Sequence, residues 1–140
     1  MLAELFPGQG SQHVGMGADL LANDPEFRGW VEHAATQARC DLVRILRRGP
    51  ESALGQTAVL QPLMVCVSLG YHQHLRRAGV RADLMAGHSL GELSALAAAG
   101  VIEPEAAIHL AVRRGHAMQV AAAVVDGGRP LSNTCGKASI

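Results

Sequence analysis

The stretch Asp83-Leu84-Met85-Ala86-Gly87-His88-Ser89-Leu90-Gly91-Glu92-Leu93-Ser94 reads as a short strand, a tight turn and the start of a helix. Residues 83–87 are predicted to be a buried strand and residues 90–99 a helix closed by Gly100. Glycines stand two residues before and two after Ser89. A G-x-S-x-G pattern between a strand and a helix is the nucleophile elbow, a strained turn that lifts the hydroxyl clear of the strand end. The first N–H groups of the helix then point at the same place, where they favour a developing oxyanion. A second reading stays open at this stage: a tight turn with Ser89 as a helix N-cap.

On either side of this stretch the apolar residues repeat with helical spacing. Leu60, Met64, Val67, Tyr71 and Leu75 step by three and four, predicting a long helix over 61–78 that ends at Gly79. A further helix is predicted over 103–123, with Pro104 near its start. On it Ala107, Ala111, Arg114 and Met118 share one largely apolar face, whereas Arg113 falls with His109 and His116 on a polar face. Arg114 is therefore the inward arginine, and a guanidinium facing inward needs an anionic partner. An internal acid such as Glu92 or a substrate carboxylate, gripped by a bidentate fork, would serve. Nearer the N-terminus, 2–6 reads as a strand stopped by Pro7-Gly8-Gln9-Gly10-Ser11, and helices are predicted over 14–22, 25–39 and 42–48. Asn23 or Asp24 caps the second of these, with Pro25 at its first position. Helices alternating with short strands predict an α/β chain with a parallel sheet. Residues 1–125 form the folded part, and 126–140 read as an aperiodic tail.

Composition narrows the function classes. Hydrophobic residues make up 49% of the 140, enough for a real core, and only 3% are aromatic, too few for a base-stacking surface. Twelve basic residues balance twelve acidic ones without a basic block, which argues against nucleic acid as a partner. Cys40, Cys66 and Cys135 are widely spaced with no C-x-x-C pair, a pattern that points to thiols and away from a disulfide framework or a zinc site. No basic stretch followed by an apolar one opens the chain, and no apolar run is long enough to span a membrane, so the expected setting is cytoplasmic. Among other candidates, His88 adjoins Ser89 but points elsewhere in an elbow, and Gly8 and Gly10 lack the third glycine of a dinucleotide loop.

Several motifs together resemble one family. Phe6-Pro7-Gly8-Gln9-Gly10-Ser11-Gln12 followed by Gly15-Met16-Gly17, then Leu60-Gln61-Pro62, Gly87-His88-Ser89-Leu90-Gly91-Glu92 and Arg114-Gly115 with Met118-Gln119, are similar in order and spacing to malonyl-CoA:acyl carrier protein transacylases and related acyltransferase domains. The resemblance implies a partial α/β-hydrolase-like parallel sheet flanked by helices. It implies malonyl transfer from malonyl-CoA to the phosphopantetheine thiol of an acyl carrier protein, in fatty acid or polyketide synthesis, through a seryl-malonyl ester. Ser89 would be the nucleophile, and the N–H groups of Gln9 and Leu90 the oxyanion hole. Arg114 would hold the malonyl carboxylate, and Gln61 would contribute to substrate binding. No metal and no cofactor besides the substrate malonyl-CoA is implied.

The resemblance fades from about residue 123. The family's general-base histidine and its ferredoxin-like small subdomain both lie farther along than this sequence runs. The expectation is thus a transacylase impaired by the loss of its base. Two rivals remain: a serine hydrolase in which water accepts the acyl group, and a non-catalytic remnant or interaction module.

Overall fold

In a computed structural model, residues 1–125 are described, so the tail expected over 126–140 lies outside the described residues. Strand β1 (Ala3–Phe6) is followed by helices α1 (Ala18–Asn23), α2 (Pro25–Ala38), α3 (Leu42–Arg48), α4 (Glu51–Leu54) and α5 (Thr57–Arg77). Strand β2 (Leu84–Gly87), α6 (Gly91–Ala98) and α7 (Pro104–Val125) complete the described order. β1 and β2 pair in parallel, with Ala3 opposite Leu84 and Phe6 opposite Gly87. The result is the expected α/β arrangement, a small parallel sheet flanked by helices.

Helix α5 is the spine. It packs against α2, α6 and α7, and its residues Val59 to Val67 are buried without a break. The core around it takes in Phe27 and Val31 of α2, Ile45 and Leu46 of α3, Leu90 before α6, and Ile108 of α7. Such a helix, apolar on nearly every side in its first half, is stabilised by burial more than by intrinsic propensity. Asp24 caps α2 by accepting from the N–H groups of Glu26 and Phe27 at 3.0 and 3.1 Å. Pro25 follows at the first helical position.

Four expectations need correction. α5 begins at Thr57, a turn before the predicted start, with Pro62 inside it. Packing decides this, because Gly115 of α7 sits so close that a Cβ there would lie 2.6 Å from the Thr57 carbonyl oxygen. The helix predicted over 14–22 is shortened, since residues 14–17 form a turn and α1 starts at Ala18. The strand over 84–87 is not buried. Ala3, Leu5, Leu84 and Ala86 lie exposed, while Phe6 on the other side of the pleat is buried. The strand alternation is thus one face toward the helices and one face uncovered by any described residue. Finally, Cys40 is disulfide-bonded, where a thiol was expected. Cys66 remains a free thiol, and its complete burial pushes its pKa upward. An inert buried thiol of this kind is no competitor to Ser89 as a nucleophile.

Candidate active site

The site begins with the turn that joins β2 to α6. Ser89 is exposed and held at φ 55°, the left-handed region that β-carbon-bearing residues seldom occupy. Its flanking glycines are required by contact. A Cβ on Gly87 would sit 2.1 Å from the Gly91 carbonyl oxygen, and one on Gly91 would sit 2.2 Å from the Phe6 carbonyl oxygen. The elbow is therefore wedged against the end of β1. This geometry removes the N-cap alternative, because Leu90 occupies the cap position of α6 and no side chain bonds there.

Among the described residues, the N–H of Leu90 has no hydrogen-bond acceptor, and neither has the N–H of Gln9 in the loop after β1. Helix α6 runs away from Leu90, so the positive end of its dipole faces the serine. His88 does not reach the Ser89 hydroxyl. Its own N–H continues the strand pairing to the Phe6 carbonyl at 3.3 Å, and its ring lies against Gly8.

Arg114 comes in from α7. It is half-buried, and its Nη2 donates to Ser89 Oγ at 3.1 Å. Its Nη1 donates to Gln61 Oε1 at 2.8 Å. No described carboxylate lies within ion-pair distance of it, so the suggested partnership with Glu92 does not form. The helical-face argument thus chose the right arginine: Arg113 is exposed and Arg114 turns to the serine. Gln61 is 0% exposed, and its amide nitrogen donates to Gln9 Oε1 at 3.2 Å and to the Met118 sulfur at 3.1 Å. The structure therefore brings Ser89, Leu90, Gln9, Gln61 and Arg114 to one place, from four separate segments of the chain.

Two contacts escaped the sequence reading: the side chain of Gln9 accepts from Gln61, and Met118 supplies a sulfur acceptor. Gln119, next along, accepts from the Ala58 N–H at 3.0 Å and so ties α7 to the first turn of α5. The sequence pairs Met118 and Gln119 in one motif but shows no sign of what either touches.

An exposed serine at positive φ, at the start of a helix and with a guanidinium against its hydroxyl, is an arrangement that serine acyl transfer can use. A family model described as "Acyl transferase domain" matches residues 5–136, and the chain belongs to that family. The malonyl CoA-acyl carrier protein transacylase of Escherichia coli strain K12 is 41% identical over 120 residues, which is 85% of this chain and 39% of that protein. The chain thus spans about two fifths of the length of the curated relatives it matches. Among solved structures, the malonyl-transacylase from Streptococcus pneumoniae superposes with a TM-score of 0.78 at 36% identity, covering 86% of this chain and 39% of that one. A malonyl-transacylase solved in complex with its type II polyketide acyl-carrier protein gives a TM-score of 0.76 at 41% identity, covering 86% and 39%. Among the described residues, no helix is long and apolar enough to cross a membrane.

Proposed function

We propose that these residues form the nucleophile side of a malonyl-transfer site. Ser89 Oγ attacks the thioester carbonyl of malonyl-CoA, the tetrahedral oxyanion is received by the N–H groups of Gln9 and Leu90, and coenzyme A leaves as its thiol. The phosphopantetheine thiol of an acyl carrier protein then attacks the seryl ester, and Ser89 recovers its proton. The exchange balances without a metal or a redox group, and the cytoplasm is its proposed setting. A base must take the serine proton in the first half-reaction. No described histidine is hydrogen-bonded to Ser89 Oγ, so loading by the 140-residue chain alone is expected to be slow.

One observation carries the reading: a half-buried Arg114 guanidinium, unpaired with any described acid, lies against the nucleophile. A guanidinium withdrawn from water favours an anion, and the free carboxylate of a malonyl thioester supplies one two bonds from the reacting carbonyl. Names of relatives and of the carrier-protein complex point the same way.

The test is intact-mass spectrometry after incubation with malonyl-CoA. A malonyl adduct that disappears in Ser89→Ala is expected, and a protein that never acquires one at any time would sink the proposal. An adduct formed equally well from acetyl-CoA would favour the hydrolase rival, which has no use for a carboxylate clamp.

A further inference from the structure

We infer that Gln61 is a positioning residue that couples the carboxylate clamp to the oxyanion loop. This rests on the function proposed above. A primary amide offers two donors on nitrogen and two lone pairs on oxygen. A guanidinium can only donate, so the Gln61 oxygen must face Arg114, and this fixes the nitrogen on the opposite side. There the nitrogen meets two acceptors, Gln9 Oε1 and the Met118 sulfur. One side chain thus orients Arg114 and holds the loop whose Gln9 N–H is the proposed oxyanion donor.

The surroundings leave Gln61 little freedom. It is 0% exposed, and no buried side-chain polar atom among the described residues lacks a partner. A Cβ placed on Gly115 would come within 3.3 Å of Gln61 Cβ, so α7 presses directly on this residue. Turning the amide over would bring its N–H₂ against the guanidinium and its oxygen against Gln9 Oε1, breaking both contacts at once. Gln61 therefore never needs to touch substrate, and being buried it reaches the site through Arg114 and Gln9.

The two links make separable predictions. Loosening Arg114 raises the concentration of malonyl-CoA needed for half-maximal loading and leaves acetyl-CoA unaffected. Loosening the Gln9 loop lowers the maximal loading rate for both acyl groups. Gln61→Ala is expected to do both, each by about tenfold. Gln61→Glu, of nearly the same shape, gives Arg114 an internal anion and offers the Gln9 oxygen no donor at neutral pH, so it should reproduce the pattern without leaving a cavity. A residue of merely structural importance would lower the active fraction, reducing every rate alike at unchanged half-saturation. That outcome, or wild-type kinetics in both variants, overturns the inference.

A second measurement does not depend on turnover. In proton–nitrogen spectra, the Arg114 side-chain N–H signals should be distinct in the wild-type chain and averaged in Gln61→Ala. If wild type takes up no malonyl group the proposed function fails, and identical Arg114 signals in the two proteins overturn the positioning role separately.

Discussion

Two arginines near opposite ends of α5 have been given opposite company. Arg77, the last residue of the helix, contacts the carboxylates of Asp24 and Glu26 and the amide oxygen of Gln73. Arg114, docked beside Gln61 near the other end, contacts an amide and a hydroxyl and no described acid. Sixteen residues of helix separate the two positions, roughly 24 Å along the axis. Arg77 has its side chain 53% exposed and is nevertheless matched with two anions, while the less exposed arginine is left without one. If both served stability, the pairing would be reversed, because a withdrawn cation has the greater need of a counter-charge. On the function proposed above, charge matching marks the structural end of α5 and its omission the end kept for a ligand.

The sharpest way to break this contrast is Arg114→Ala. If the cation is held for an external carboxylate, its removal should lower malonyl loading of Ser89 by about a hundredfold, the equivalent of about 3 kcal/mol for a charge-assisted pair. Thermal stability should hold or rise slightly, since an unmatched charge is being deleted. A fall in melting temperature comparable to that of an Asp24 variant, with loading intact, would make Arg114 a structural residue and erase the comparison.

How much of this was legible in the sequence depends on how local the cause is. The elbow was fully legible, because its glycines answer to steric contacts at Gly87 and Gly91 only a few residues away or across one strand pairing. The inward turn of Arg114 was legible because helical periodicity alone separates it from Arg113. The contacts that join Gln61 to Gln9 and Met118 were not, since they cross 52 and 57 residues of sequence. The early start of α5 was hidden for a related reason: it goes with the approach of Gly115 to Thr57, two residues far apart in sequence. Exposure of the β2 side chains was misjudged because a run of apolar residues reports a preference for burial, and what covers the strand is decided elsewhere.

The structural end of α5 gives the next effect in size. Asp24 is 7% exposed and both caps α2 and receives Arg77. Asp24→Ala should destabilise the fold by about 2 kcal/mol, the loss of a cap plus that of a partly buried charge partner. Denaturant unfolding would show it as a lower midpoint, with malonyl loading of the remaining folded protein unchanged. Arg77→Met should have a smaller effect in the same direction, because the guanidinium is half in solvent and screened there.

The smallest effect, and the one that most directly separates the two ends, depends on pH. Burial by itself would raise the Asp24 carboxyl above its ordinary 3.8, but the Phe27 N–H, the Arg77 guanidinium and the Glu26 N–H together outweigh it and hold the value lower. A carboxyl whose pKa is depressed on folding contributes its stability above the unfolded value and loses it as pH falls through the folded one. Wild-type stability should therefore decline more steeply below about pH 4 than that of Asp24→Asn, whose amide does not titrate there. Arg114→Ala should follow the wild-type curve throughout, because no described carboxylate pairs with Arg114. Were Arg114→Ala instead to flatten the acid limb, some carboxylate must be meeting that guanidinium in the folded protein, and the cation would no longer be free for substrate.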